Sequence, residues 1–190
     1  MIIALEGIDN AGKTTLAGML TDEFLKSGKN AIVSKELTTE VGKLIKATIK
    51  TGMLTPISKT FLFAADRQLR IEKLQEENCF NEVVIFDRYL HSAIVYREAE
   101  QLDGMWVKDV NRNIPKSDIA FYIDITPEES IKRNTDTKFN IHYSIEHLKR
   151  VREAYLNYVE LGELVLIDGM KNTKEVCENV IDVLRKGGLL

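Results

Sequence analysis

Five short apolar runs, dense in β-branched residues, constrain the fold of this 190-residue chain more than any other feature. They are Ile2–Glu6, Ala31–Lys35 and residues 82–87, 118–125 and 163–168. Each is nearly continuous rather than alternating, which is the pattern of strands covered on both faces of a parallel sheet. The segments between them carry helical spacing. Leu16, Met19, Leu20, Phe24 and Leu25 repeat along residues 14–27, and Gly28 follows as a C-terminal cap. Helices are also expected over residues 39–51, 56–77, 90–101, 127–135, 144–160 and 173–186. Parallel strands need crossovers long enough to hold a helix. The alternation therefore predicts an α/β fold, a five-stranded parallel sheet with helices on both faces and right-handed connections. Residues 134–143 are polar with no clear period and read as a short mobile lid within a single domain over residues 1–190.

Composition narrows the function classes. Twenty-six Lys and Arg against 29 Asp and Glu leave a formal charge of −3, so no global basic field exists to coat a nucleic acid polymer. Cys79 and Cys177 stand far apart with no CxxC spacing, which argues against a zinc site or a disulfide framework. No apolar run reaches the roughly 18 residues of a membrane span, and the opening MIIALEG carries no basic n-region or cleavage signal. A cytoplasmic protein that engages no membrane is expected.

The chemistry concentrates where the first run ends. Gly7-Ile8-Asp9-Asn10-Ala11-Gly12-Lys13-Thr14 fits G-x-x-x-x-G-K-[ST] and passes straight into the first helical pattern, with Thr15 next. Glycines let successive N–H groups turn inward around a phosphate, and the helix N-terminus adds partial positive charge. Lys13 is placed to reach outer phosphates and the Thr14 hydroxyl to ligate Mg²⁺, so a P-loop NTPase fold that binds a nucleoside triphosphate is expected. Residues 83–87 deliver Asp87 at the C-terminal end of an apolar strand, where ligands sit in open α/β sheets. Asp87 can hold the magnesium directly or through water.

Further fragments follow in order. They are Ala4-Leu5-Glu6-Gly7-Ile8-Asp9, Thr39-Glu40-Val41-Gly42-Lys43-Leu44-Ile45 and Phe61-Leu62-Phe63-Ala64-Ala65-Asp66-Arg67. Then come Asp87-Arg88-Tyr89 with Ser92 and Tyr96 behind it, Pro115-Lys116-Ser117-Asp118, Val151-Arg152-Glu153-Ala154-Tyr155 and Val165-Leu166-Ile167-Asp168. In this order and spacing the chain resembles the thymidylate kinase family of P-loop nucleoside-monophosphate kinases along nearly its whole length. The resemblance implies transfer of the γ-phosphate of ATP to dTMP, with ATP over Gly7 to Thr15 and Mg²⁺ at Thr14 and Asp87. It implies that Phe63 stacks on thymine and Arg67 hydrogen-bonds a base carbonyl. Arg88 would clamp the acceptor phosphate, with Lys35 in support. Tyr96, with Ser92 on the same helical face, would crowd the sugar, and Asp9 would lie near the sugar hydroxyl and phosphate pocket. Lys13 and a lid cation, Arg133, would stabilise the charge of the transferring group. A homodimer is also implied.

The residues alone leave other readings open. By periodicity Phe63 reads as core and Arg67 as a surface ion-pair partner. The chain departs from the family at Lys35-Glu36-Leu37, at Asn10 in the loop, at Ala93, and in a lid region that offers only Lys132, Arg133 and Lys138. A deoxynucleoside kinase with Glu36 as base, another pyrimidine monophosphate kinase, and a non-kinase ATP-binding switch are the alternatives.

Overall fold

A computed structural model describes residues 1–133 and 143–190. Its centre is a five-stranded, all-parallel sheet of order β2-β3-β1-β4-β5. The strands are β1 (Ile2–Glu6), β2 (Ala31–Lys35), β3 (Val83–Asp87), β4 (Ile119–Asp124) and β5 (Val165–Asp168). Helices α1 (Lys13–Lys26), α2 (Glu40–Thr48), α3 (Pro56–Glu76), α4 (Leu90–Glu98), α5 (Gly104–Val110), α6 (Pro127–Lys132), α7 (Ile145–Glu160) and α8 (Thr173–Lys186) flank it. α1 and α8 pack together, while α2, α3, α4 and α7 form a second chain of contacts. Among the described residues no helix is long and apolar enough to cross a membrane.

The strand readings hold, with one refinement. The inner strands β1, β3 and β4 are buried almost throughout, but β2 and β5 lie at the sheet edges. Val33 and Leu166 are accordingly 36% and 48% exposed. Apolar continuity marks membership of a parallel sheet and does not distinguish centre from edge. The helix readings hold to within a few residues, except that α4 ends at Glu98 and α5 was not anticipated. α5 has only seven residues behind an Asp103 cap, too short for a period to register. The expected lid lies outside the described residues except for Tyr143.

Local chemistry fixes the helix boundaries. Gly28 (φ +78°) closes α1: its N–H donates to the Leu25 carbonyl and that of Lys29 to the Phe24 carbonyl, a Schellman arrangement. Thr55, Thr126, Ser144 and Asn172 cap the starts of α3, α6, α7 and α8 with side-chain oxygens. α4 has no side-chain cap of its own, because its N-cap residue is Tyr89. Glu6, fully buried at the end of β1, serves instead. Its Oε1 accepts from the N–H groups of Tyr89 (3.1 Å) and His91 (3.0 Å), and its Oε2 from the Ser92 N–H (3.0 Å). The Ser92 hydroxyl and the Tyr155 hydroxyl also donate to Oε2. A buried carboxylate is tolerable here because five donors and a helix N-terminus compensate its desolvation.

Glu6→Gln should therefore destabilise the fold, since the amide NH₂ would face donors where an acceptor is required. A loss of about 2–3 kcal/mol is expected, or a melting temperature lower by roughly 4–12 °C in a chain of this size. Calorimetric melting of the purified variant measures it, and a melting temperature unchanged within a degree would remove Glu6 from this role.

Candidate functional site

The parallel register brings the C-terminal strand ends to one edge: Leu5 pairs with Asp87, Lys35 with Asp87, and Asp124 with Asp168. The phosphate loop leaves β1 at this edge. Gly7 has φ +146°, and a Cβ there would lie 2.7 Å from the Ile123 carbonyl oxygen, so no side chain fits between the loop and β4. Asn10 (φ +59°) donates from Nδ2 to the Ser130 carbonyl (3.0 Å), while the buried Ser130 hydroxyl donates to the Asp9 carbonyl (2.7 Å). α6 thus buttresses the loop from outside.

Lys13 is buried, and its ammonium donates to the carbonyls of Gly7 (3.1 Å) and Ile8 (2.7 Å). Burial, with Arg88 close by, lowers its pKa to about 8 against the opposing pull of Asp87, Asp9 and Glu6. Thr14 is exposed at the first turn of α1, and its hydroxyl donates to Asp87 Oδ2. Among the described residues no group of three His, Cys, Asp or Glu side chains gathers as a metal cage. A hydroxyl and one carboxylate at the mouth of a phosphate loop do fit a divalent cation that takes its remaining oxygens from phosphates and water.

Beside the loop, α3, α4, α5 and the β2–α2 turn line a partly open cavity of about 170 Å³. One end holds Asp9, Arg88, Ser92 and Tyr96. Arg88 occupies the left-handed region (φ +70°), rare for a non-glycine residue, and this turns its side chain back over the loop. Its guanidinium donates to Asp9 Oδ1 (2.5 Å), the Gly7 carbonyl (3.0 Å) and the Tyr96 hydroxyl (3.2 Å), and lies 5.1 Å from the Tyr96 ring centroid. Burial pushes the Tyr96 phenol well up, so it stays a neutral donor. The other end carries Phe63, Lys59 and Thr60 from α3, Ala93 and Arg97 from α4, and Asn111 after α5.

Five expected acceptor-site residues meet at this cavity: Asp9, Phe63, Arg88, Ser92 and Tyr96. Lys35 and Arg67 do not line it. Lys35 is exposed at the end of β2. Arg67 is 1% exposed and lies behind two lining residues, donating to Asn111 Oδ1 (2.7 Å) and Glu36 Oε1 (3.0 Å). Arg133 is held by Glu129 (2.8 Å) and by the Gly169 carbonyl (3.1 Å) after β5.

The structure adds residues that sequence reasoning passed over. Asp66, fully buried on α3, accepts from the Leu37 N–H (2.9 Å) and the Thr39 hydroxyl (2.6 Å), which fixes the turn that presents Glu36 and Leu37 to the cavity. Gly42 lets α2 close on that turn, since a Cβ there would meet the Leu37 backbone at 2.4 Å. Arg70 ties α3 to Ser34 in β2. The signal for Asp66 and Arg70 was present in the sequence as charges on the inward face of an amphipathic helix, where they fall beside Arg67.

Comparison with known proteins agrees with this geometry. A family model described as "Thymidylate kinase" matches residues 5–180. The chain is similar to the "Probable thymidylate kinase" of Sulfurisphaera tokodaii, at 39% identity over 96% of this chain and 94% of the relative. It is 37% identical to the "Probable thymidylate kinase 1" of Saccharolobus solfataricus and 35% identical to the "Probable thymidylate kinase" of Thermococcus kodakarensis, each over 97% of both chains. A match of this extent, with a phosphate loop and a cavity beside it, makes the chain a kinase of the thymidylate kinase family.

Proposed function

We propose that this chain transfers the γ-phosphate of ATP to dTMP, giving dTDP and ADP, as a single kinase domain that uses Mg²⁺. The observation that carries the reading is the cavity beside the phosphate loop, with Asp9, Arg88 and Tyr96 at the loop end and Phe63 at the other. That spacing suits a nucleoside monophosphate whose phosphate points at the loop and whose base stacks on Phe63. Arg88 would take the acceptor phosphate in exchange for part of its pairing with Asp9. Tyr96 would stand against the sugar. Lys35, exposed and outside the cavity, is left out of this assignment, and Arg67 acts by bracing Asn111 and Glu36.

ATP would lie along Gly7 to Thr15. Lys13 would leave the Gly7 and Ile8 carbonyls to reach the outer phosphates. Mg²⁺ at Thr14 and Asp87 would supply charge neutralisation between the phosphates. An oxygen of the acceptor phosphate attacks the γ-phosphorus, the bond to the bridging oxygen breaks, and ADP leaves. The acceptor dianion needs no strong base, so the work of the protein is alignment and charge. Arg133 could stabilise the transferring group only after giving up Glu129 and Gly169. A homodimer is also proposed. On α4, Ile94, Val95 and Tyr96 belong to the core, whereas Ile57 and Phe61 on α3 are exposed.

A coupled assay with ATP against thymidine, dTMP, dUMP and dCMP tests the reading. The highest kcat/KM is expected with dTMP. A preference for thymidine would contradict it and make Glu36, which lines the cavity, the base of a deoxynucleoside kinase.

Lys13 gives a separate test. In the free protein it loses its proton as the pH rises through about 8. A bound triphosphate favours the charged ammonium and raises that pKa, so ATP binding should take up a proton above the free-protein value and little below it. Calorimetric ATP titrations in two buffers of different ionisation enthalpy should show uptake of roughly half a proton or more at about pH 9 beyond that at about pH 7. Equal uptake at the two pH values would contradict the contact, and Lys13→Arg should abolish the difference.

A further inference from the structure

One buried titratable side chain beside the cavity has no part in the chemistry described so far. His147, in the first turn of α7, is 9% exposed, and its Nε2 is buried without a hydrogen-bond partner among the described residues. Its ring lies flat on that of Tyr143, with centroids 4.4 Å apart and planes 10° apart. Tyr143 directly precedes Ser144, the N-cap of α7, and the His147 N–H donates to the Ser144 hydroxyl (3.1 Å). The stack therefore ties the incoming chain to the first helical turn, much as a hydrophobic staple does, and sets the angle at which Tyr143 arrives.

That angle matters because Tyr143 lines the cavity. Its ring centroid is 5.4 Å from that of Tyr96, and Asp9 and Arg88 both act on its phenol. Tyr143 thus walls the part of the cavity proposed for the acceptor's sugar and phosphate. His147 does not line the cavity and stands behind this wall, 6.2 Å from the Tyr96 ring.

The surroundings favour an uncharged imidazole. Lys59 on α3, Arg97 on α4 and Arg150 on α7 act on it against one carboxylate, Glu100, which already pairs with Lys59 (2.6 Å) and Arg97 (2.9 Å). Tyr96 and Tyr143 are kept neutral by burial. Burial and the three cations lower the His147 pKa against the pull of Glu100. An imidazolium would add a fourth cation and put an Nε2–H where no acceptor stands.

We propose that His147 is a positioning residue for the acceptor: its uncharged ring, stacked on Tyr143, holds that phenol against Tyr96 as a wall of the cavity. This rests on the proposed function, and the experiment separates the two. Since the stacked arrangement lowers the His147 pKa, it is fully held above the ordinary histidine value of 6.5 and weakens as the pH falls below it.

The experiment measures KM and kcat for dTMP at saturating ATP with the wild type, His147→Ala, His147→Phe, Tyr143→Ala and the double alanine variant, with melting temperature as a folding control. At about pH 7.5, His147→Ala should raise the KM for dTMP roughly 5- to 20-fold and change kcat by less than about threefold. His147→Phe keeps a flat ring and should recover most of that loss. In the Tyr143→Ala background, His147→Ala should add less than about twofold, because its effect passes through Tyr143. Between about pH 7.5 and about pH 5, the wild-type KM should rise about threefold or more beyond that of His147→Phe. Both enzymes meet the same titration of the dTMP phosphate, so the comparison removes it. Equal pH profiles, a loss that His147→Phe does not recover, or full additivity of the two alanine substitutions would overturn the proposal. Should the alanine variants fold poorly, the pH comparison of the wild type with His147→Phe decides alone. A wild type inactive on dTMP defeats the thymidylate reading itself, whereas an active wild type with the same pH profile as His147→Phe defeats only the role of His147.

Discussion

The carboxylate of Glu6 is the constraint on which the site depends. It ends the central strand, lies immediately before the phosphate loop, and accepts the backbone N–H groups that open α4. One buried anion therefore fixes the distance between the loop and the helix that carries Ser92, Tyr96 and Arg97. Arg88 follows, because it is the residue that the chain must turn through between β3 and α4, and the turn is taken in a left-handed conformation. That conformation stores strain of about 1–3 kcal/mol, which persists only where the surroundings hold it in place. Here the Leu5 carbonyl accepts the Arg88 N–H and Asp9 holds its guanidinium.

A second theme is that the cations of the site are paired before any ligand arrives. Arg88 rests on Asp9, Arg133 on Glu129, Arg67 on Glu36, and Lys13 on two loop carbonyls. Such pairing keeps buried charge tolerable in the free protein, where an isolated charge would be far more costly. Under the proposed function, phosphate binding would be an exchange of partners, with affinity set by the difference between a phosphate and the carboxylate or carbonyl that it replaces. Arg97 is paired as well, with Glu100 (2.9 Å), a carboxylate that it shares with Lys59.

Much of this was legible in the sequence. The five strands announce themselves because parallel strands are apolar without interruption, and the loop because its glycines and Lys13 carry a pattern that few other structures require. Asp9, Phe63, Arg88, Ser92 and Tyr96 could be assembled from spacing and resemblance, and they do line one cavity. Residues whose role depends on a partner distant in sequence could not. Glu6 read as the last residue of a strand, yet its partners lie beyond residue 88. Arg67 shares a helical face with Phe63, but periodicity cannot say which of two neighbours reaches the cavity and which is claimed by Asn111. Asn111 itself follows α5, a helix too short to be read from its pattern.

The central claim is that one end of this cavity holds the phosphate of a monophosphate acceptor through Arg88, whatever base occupies the other end. The most direct measurement is kcat/KM of Arg88→Ala against dTMP, dUMP and dCMP at saturating ATP. The account predicts a loss of roughly 100-fold or more that is the same, within about threefold, for all three substrates, because the phosphate is common to them. A loss that depends on the base, or near-wild-type activity in the folded variant, would contradict it.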